Sequence, residues 1–194
     1  MNLFFDTETT GLPPKNAKWS VDYMSFPHIV QLSWKCSDKD VVHDYIIKPD
    51  GYEIPVEATN IHGISTEKAL KEGIFLKDVL DKFLKDCEDA IKVVGHNTYF
   101  DTSIIKANVL RITQEINTIE RVIEAIHKSK RIDTMMKTIK FCSMKQRKGN
   151  RLKYPTLLEL HNKLFNCSFD AHNAKEDVLA TERCFNELVR IGVI

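Results

Sequence analysis

No stretch of this sequence approaches the roughly 20 consecutive apolar residues that cross a bilayer, so a membrane-spanning helix and a membrane partner are excluded. The N-terminus lacks the basic-then-apolar layout of a secretory signal, because Asp6 and Glu8 interrupt its apolar opening. Its five cysteines (Cys36, Cys87, Cys142, Cys167 and Cys184) are odd in number and never spaced CxxC, which argues against a disulfide framework or a zinc site. An internal repeat and a low-complexity linker are also missing. One soluble, cytoplasmic domain over residues 1–194 is therefore expected, and 194 residues suffice to bury a core without staples.

Net charge is +1, which alone points neither toward nor away from nucleic acid. The distribution is less even. Eleven Lys and Arg between Arg121 and Lys153 face only Glu124 and Asp133, a surplus of nine that the rest of the chain offsets. Its densest stretch is Lys145–Lys153 (KQRKGNRLK), in which Gly149 and Asn150 suggest a turn.

Periodicity supplies a scaffold. Asn2–Asp6, His28–Cys36, Val41–Lys48 and Ile91–Gly95 read as strands. Helical spacing of apolar residues covers Phe75–Asp89, Thr102–Arg111, Glu115–His127, Asp133–Cys142, Pro155–Phe165 and Ala174–Ile191. Strands first, then strands alternating with helices, predict an α/β domain with a mixed central β-sheet flanked by α-helices. The stretch Pro13–Pro27 is long for a connection between two strands.

The chemistry begins with FFDTETTGL. Strand side chains alternate, so Asp6 and Glu8 share a face beside a buried apolar run, where like charges repel and lose hydration. Further acids fall at the ends of other elements: Asp101 in GHNTYFD after the fourth strand, and Asp177 in AHNAKED at the start of the last helix. Each is ordinary alone, as a frayed strand end or a compensated helix dipole. If the segments converge, they form one carboxylate cluster.

Three motifs in order, FFDTETTGL, HNTYFD and HNAKED, with NIHGIS and RIDT between them, make the chain resemble the DnaQ-like (DEDDh) 3′→5′ exonucleases of the ribonuclease H-like fold. The resemblance implies that Asp6, Glu8, Asp101 and Asp177 hold two divalent cations, Mg²⁺ or Mn²⁺, and that His172 is the general base. It also implies that the turn Thr9–Leu12, with Thr10 and Gly11 inside it, cradles the 3′-terminal nucleotide. Thr7, Ile61, His62, Asn97 and Phe100 complete that substrate-binding set, although Asn97 also reads as a helix cap. The implied substrate is a single-stranded or frayed 3′ end, DNA favoured. An exoribonuclease and a non-catalytic nucleic-acid-binding module are the alternatives, and a polymerase partner or a homodimer stays open.

The residue types suit that chemistry. Two cations about 3.5–4 Å apart relieve charge on a phosphodiester and stabilise both attacking and leaving oxygens. Hard cations favour carboxylate oxygens over thiolates. His172 and Asp177 lie five residues apart, about 140° around a helix, so they converge only if His172 precedes the helix. An imidazole placed there can take a proton from the attacking water.

Overall fold

Alternation along the first strand divides its side chains between two environments. Leu3, Phe5 and Thr7 face one side, and Phe4, Asp6 and Glu8 the other. In the computed structural model, which describes residues 1–113, 115–146 and 151–194, they occupy β1 (Asn2–Thr9), the middle strand of a sheet ordered β3-β2-β1-β4-β5. β2 (Ile29–Cys36) runs antiparallel to β1, and β3 (Val42–Ile46) antiparallel to β2. β4 (Lys92–Gly95) is parallel to β1, and β5 (Arg131–Asp133) parallel to β4. The expected mixed α/β architecture is therefore the one observed.

Helices cover both faces. α3 (Leu76–Asp89), α4 (Thr98–Ile112) and α5 (Ile116–Ala125) close the side where Leu3, Phe5, Trp34, Val79, Phe83 and Ile104 form the main core. α8 (Ala174–Arg190) lies on the opposite side, packing Val178 and Phe185 on Phe4 and Val94. α6 (Thr134–Cys142) and α7 (Leu157–Phe165) continue that layer around Cys142, Leu160, Cys184 and Leu188. The capping box Thr156/Glu159 starts α7. The face of α5 packs inward through Val122 and Ala125, followed by buried Ile126, whereas Ile116 is exposed.

Several boundaries differ from expectation. β1 runs three residues past Asp6, so both acids lie inside the strand rather than at its end. α4 starts at Thr98, ahead of the expected Thr102, which places Asp101 in its first turn. α1 (Val56–His62) and α2 (Thr66–Glu72) were not legible, because each is only seven residues long with few buried positions. The three-residue β5 is likewise below the length at which period-two alternation is visible.

Two features bring β1 and β4 together at the end where the acids sit. Parallel register sets Phe4 beside Val94, so Gly95 falls next to Phe5. A Cβ on Gly95 would lie 3.0 Å from Thr98 Cγ2 and 3.2 Å from the Phe5 carbonyl oxygen, and glycine permits this approach. The long β1–β2 connection is pinned to α4: Asn108 Nδ2 donates to the Pro27 carbonyl, and Arg111 to those of Tyr23 and Phe26. A short 3-10 turn at Tyr23–Ser25 lies within it.

Candidate active site

Asp6 and Glu8 stand on the β1 face that α8 covers, and Asp177 enters from the first turn of α8. One carboxylate oxygen from each lies within 4.8 Å of the others. Asp101 approaches β1 from α4, on the other face. The Thr7 N–H and Thr7 Oγ1 both donate to its Oδ1, at 3.2 and 2.7 Å, and the residue is only 3% exposed. All four acids and His172 line one cleft of about 770 Å³ at the ends of β1 and β4.

Local geometry places the His172–Asp177 pair. Asn173 caps α8, its Oδ1 accepting from the Lys175 N–H at 3.1 Å, so His172 precedes the helix. The His172 backbone is left-handed (φ 70°), and its N–H donates to Asp177 Oδ2 at 3.1 Å. The 140° separation that a continuous helix would impose is thereby avoided. Gln31, buried and opposite Glu8 in the β1–β2 ladder, secures this helix start: its Oε1 accepts from the Ala174 N–H at 3.2 Å. Its Nε2 donates to Asp44 Oδ1 at 2.7 Å. A polar residue at a core position of a strand was the available signal for Gln31.

The acids are electrostatically frustrated. Burial, then the charges of Asp101, Asp177 and Glu8, push the Asp6 carboxyl well above the usual range. Burial, then Asp177 and Asp101, raise Glu8 to about 7. Burial raises Asp101 to about 7 against the pull of its Thr7 bonds, and Asp177 to about 6 against its His172 bond. Hard-cation chemistry fits this donor set: it is all carboxylate, and a cation would relieve the repulsion.

The remaining expected residues divide. Thr7, Leu12, Asn97 and Phe100 line the cleft, Leu12 with 83% of its surface free. Thr9, Thr10, Gly11, Ile61 and His62 do not. Thr9 Oγ1 donates to the Gly11 carbonyl at 2.7 Å, and Thr10 exchanges bonds with the His28 backbone, so this turn is braced by its own polar groups. Buried His62 ends α1. Its Nδ1 accepts from the Ile64 N–H at 3.2 Å, and its Nε2 has no hydrogen-bond partner among the described residues. The Thr9 backbone lies close enough to oppose the downward shift that burial imposes on His62.

The capping role expected for Asn97 is corrected. It occupies the N-cap of α4, but at φ 71° and ψ 46° its side chain makes no cap bond, since capping needs extended backbone. Asp133 of RIDT does the bracing instead, accepting from Asn97 N–H, Thr98 Oγ1 and Met136 N–H at 3.1–3.2 Å. His96 also lines the cleft, its ring nitrogens engaged by Thr134 Oγ1 and the Pro155 carbonyl, each at 2.9 Å. Tyr154, Pro155 and Leu158, which also line the cleft, carried no recognisable motif. Of the basic run Lys145–Lys153, residues 147–150 lie outside the described residues. Lys145 and Arg151 are exposed, and Lys153 is paired with Glu159.

A family model described as an exonuclease, RNase_T, matches residues 3–185. No curated protein matches the sequence. Among solved structures, E. coli exonuclease I in complex with a dA16 oligonucleotide is similar at a TM-score of 0.69 and 18% identity, over 97% of this chain and 40% of that one. An exonuclease I from Methylocaldum szegediense gives 0.67 at 16% identity, over 97% and 41%. Exonuclease X in complex with 5′ overhanging duplex DNA gives 0.62 at 19% identity, over 99% and 93%. The chain spans about 40% of the exonuclease I chains, and at these identities the likeness shows a shared fold. That fold is the ribonuclease H-like mixed sheet. No helix among the described residues is long and apolar enough to cross a membrane. With nearly the whole length matched and the fold agreeing, the chain belongs to the RNase_T exonuclease family, as its DnaQ-like motifs imply.

Proposed function

We propose that this chain is a single-domain, metal-dependent 3′→5′ exonuclease that removes nucleotides from single-stranded or frayed ends, with DNA favoured. The observation that carries the reading is the convergence of Asp6, Glu8 and Asp177 within 4.8 Å, in a cleft shared with Asp101 and His172. Asp6, Glu8 and Asp177, with Asp101 beside them, would hold two Mg²⁺ or Mn²⁺ ions. The ions would supply charge relief at the phosphoryl oxygens and at the leaving alkoxide.

The protein's own groups do the rest. Thr7 fixes Asp101 through two hydrogen bonds, leaving its orientation insensitive to substrate arrival. Asp177 is oriented through the His172 N–H. The His172 side chain, on the exposed rim of the cleft, accepts the proton of the attacking water. Leu12 and Phe100 present apolar surface to the terminal nucleotide, and such contacts discriminate weakly among bases. The DNA preference draws support from the DNA in the exonuclease I and exonuclease X complexes. End-labelled DNA and RNA strands, digested with Mg²⁺ or Mn²⁺ and with EDTA, test the reading. Faster loss of mononucleotides from DNA is expected, and equal or faster RNA digestion would move the assignment to an exoribonuclease.

A further inference from the structure

A second charge anomaly lies on α4, opposite in sign to the acid cluster. Lys106 on α4 and Arg131 on β5 are close enough for the Arg131 charge to act on the lysine, and among the described residues neither makes an ion pair. Burial, then the Arg131 charge, hold the Lys106 ammonium below its usual range. Arg131 Nη1 donates to Thr102 Oγ1, while its buried Nε has no partner among the described residues. The Asp133 charge acts on Arg131, but its carboxylate already accepts bonds from Asn97, Thr98 and Met136.

Two aromatic rings flank the cations. Lys106 Nζ stands 5.2 Å from the ring centre of Trp19, carried by the β1–β2 connection that Asn108 and Arg111 pin to α4. Tyr99 is 69% exposed and close enough to Arg131 to influence its charge. Along α4, Tyr99, Thr102 and Lys106 recur at three- and four-residue spacing, so they share one face. Tyr99 stands in the first turn of α4, the turn that also carries the cleft residues Phe100 and Asp101, so this face starts at the helix end that borders the cleft.

Cations with no ion pair among the described residues, beside an exposed tyrosine ring, match the two contacts that a single strand offers without regard to sequence, phosphate and base. We propose that Lys106, Arg131 and Tyr99 form a subsite for the strand 5′ of the nucleotide being removed, the cations on a backbone phosphate and Tyr99 under a base. Trp19 seats Lys106, which gives the long connection at residues 13–27 its work. This inference rests on the exonuclease reading for its choice of ligand.

Fluorescence anisotropy of a labelled oligothymidylate, with Mg²⁺ and in the Asp6→Asn background that keeps the strand intact, tests it. Lys106→Gln and Tyr99→Ala should each weaken binding by about five- to tenfold without lowering the melting temperature. Only Lys106→Gln should flatten the slope of log affinity against log salt, by about 0.7 for one phosphate, and Lys106→Arg should restore it. Unchanged affinity and slope in both variants would overturn the subsite. Failure of the exonuclease reading would appear separately, as an oligonucleotide left intact by the parent enzyme with Mg²⁺.

Discussion

Replacing Glu8 by Gln should stabilise the metal-free protein, and the size of the gain follows from the cluster. In the fold the Glu8 carboxyl titrates at about 7, against 4.5 ordinarily. Between those values the native state binds more protons than the unfolded chain, so stability falls as pH rises through the window and levels off above it. At about 1.4 kcal/mol per unit, ionising Glu8 costs roughly 3 kcal/mol at pH 8 and less than about 1 kcal/mol at pH 5. Glutamine keeps the shape and never ionises. Thermal melts in EDTA should therefore show the Glu8→Gln variant about 2–3 kcal/mol more stable at pH 8, roughly 5–10 °C for a chain of this size. At pH 5 most of that difference should vanish. Adding Mg²⁺ at about 100 times its Kd should raise the parent by about 2.7 kcal/mol and the variant by less. A variant that melts lower than the parent in EDTA at pH 8, or a gain equal at both pH values, would refute the argument that burial and like charge together penalise the ionised acids while they await cations.

Asp6→Asn or Asp177→Asn should abolish most turnover and leave the far-UV spectrum and cooperative melting intact, because each removes a ligand and no core packing; a clear loss of melting temperature would mark these acids as structural. His172→Ala should lower kcat by about 10²–10⁴ with Mg²⁺ affinity nearly unchanged, as isothermal titration can show, since a base acts on water rather than on the ions. Parallel loss of Mg²⁺ affinity would make His172 a ligand. Replacing Lys145, Arg147 and Lys148 with Ala should weaken binding of longer strands and flatten the salt slope by about 1–2 units, with dinucleotide turnover unaffected. An unchanged slope would reduce the run to solvated surface.

The acids were legible because their chemistry forces unusual residues into regular elements. Asp6 and Glu8 interrupt an apolar strand, and Asp101 and Asp177 mark where two helices begin. The placement of His172 before α8 followed from helix geometry once the resemblance had paired it with Asp177. The supports were harder to see. Gln31 secures α8 across 143 residues of sequence, and Asp133 braces the start of α4 from a three-residue strand. Such contacts leave no local periodicity, so only the fold reveals them. The same holds for the cleft wall at Tyr154–Leu158, whose residues are individually unremarkable, and for α1 and α2, whose faces are too short to show a period.

The most direct test of the central claim is the polarity and metal dependence of product release. A single strand labelled separately at its 5′ and 3′ ends should lose mononucleotides from the 3′ end in Mg²⁺ or Mn²⁺. Release should stop in EDTA and resume when either ion is restored. Release from the 5′ end, or digestion indifferent to chelation, would contradict the account.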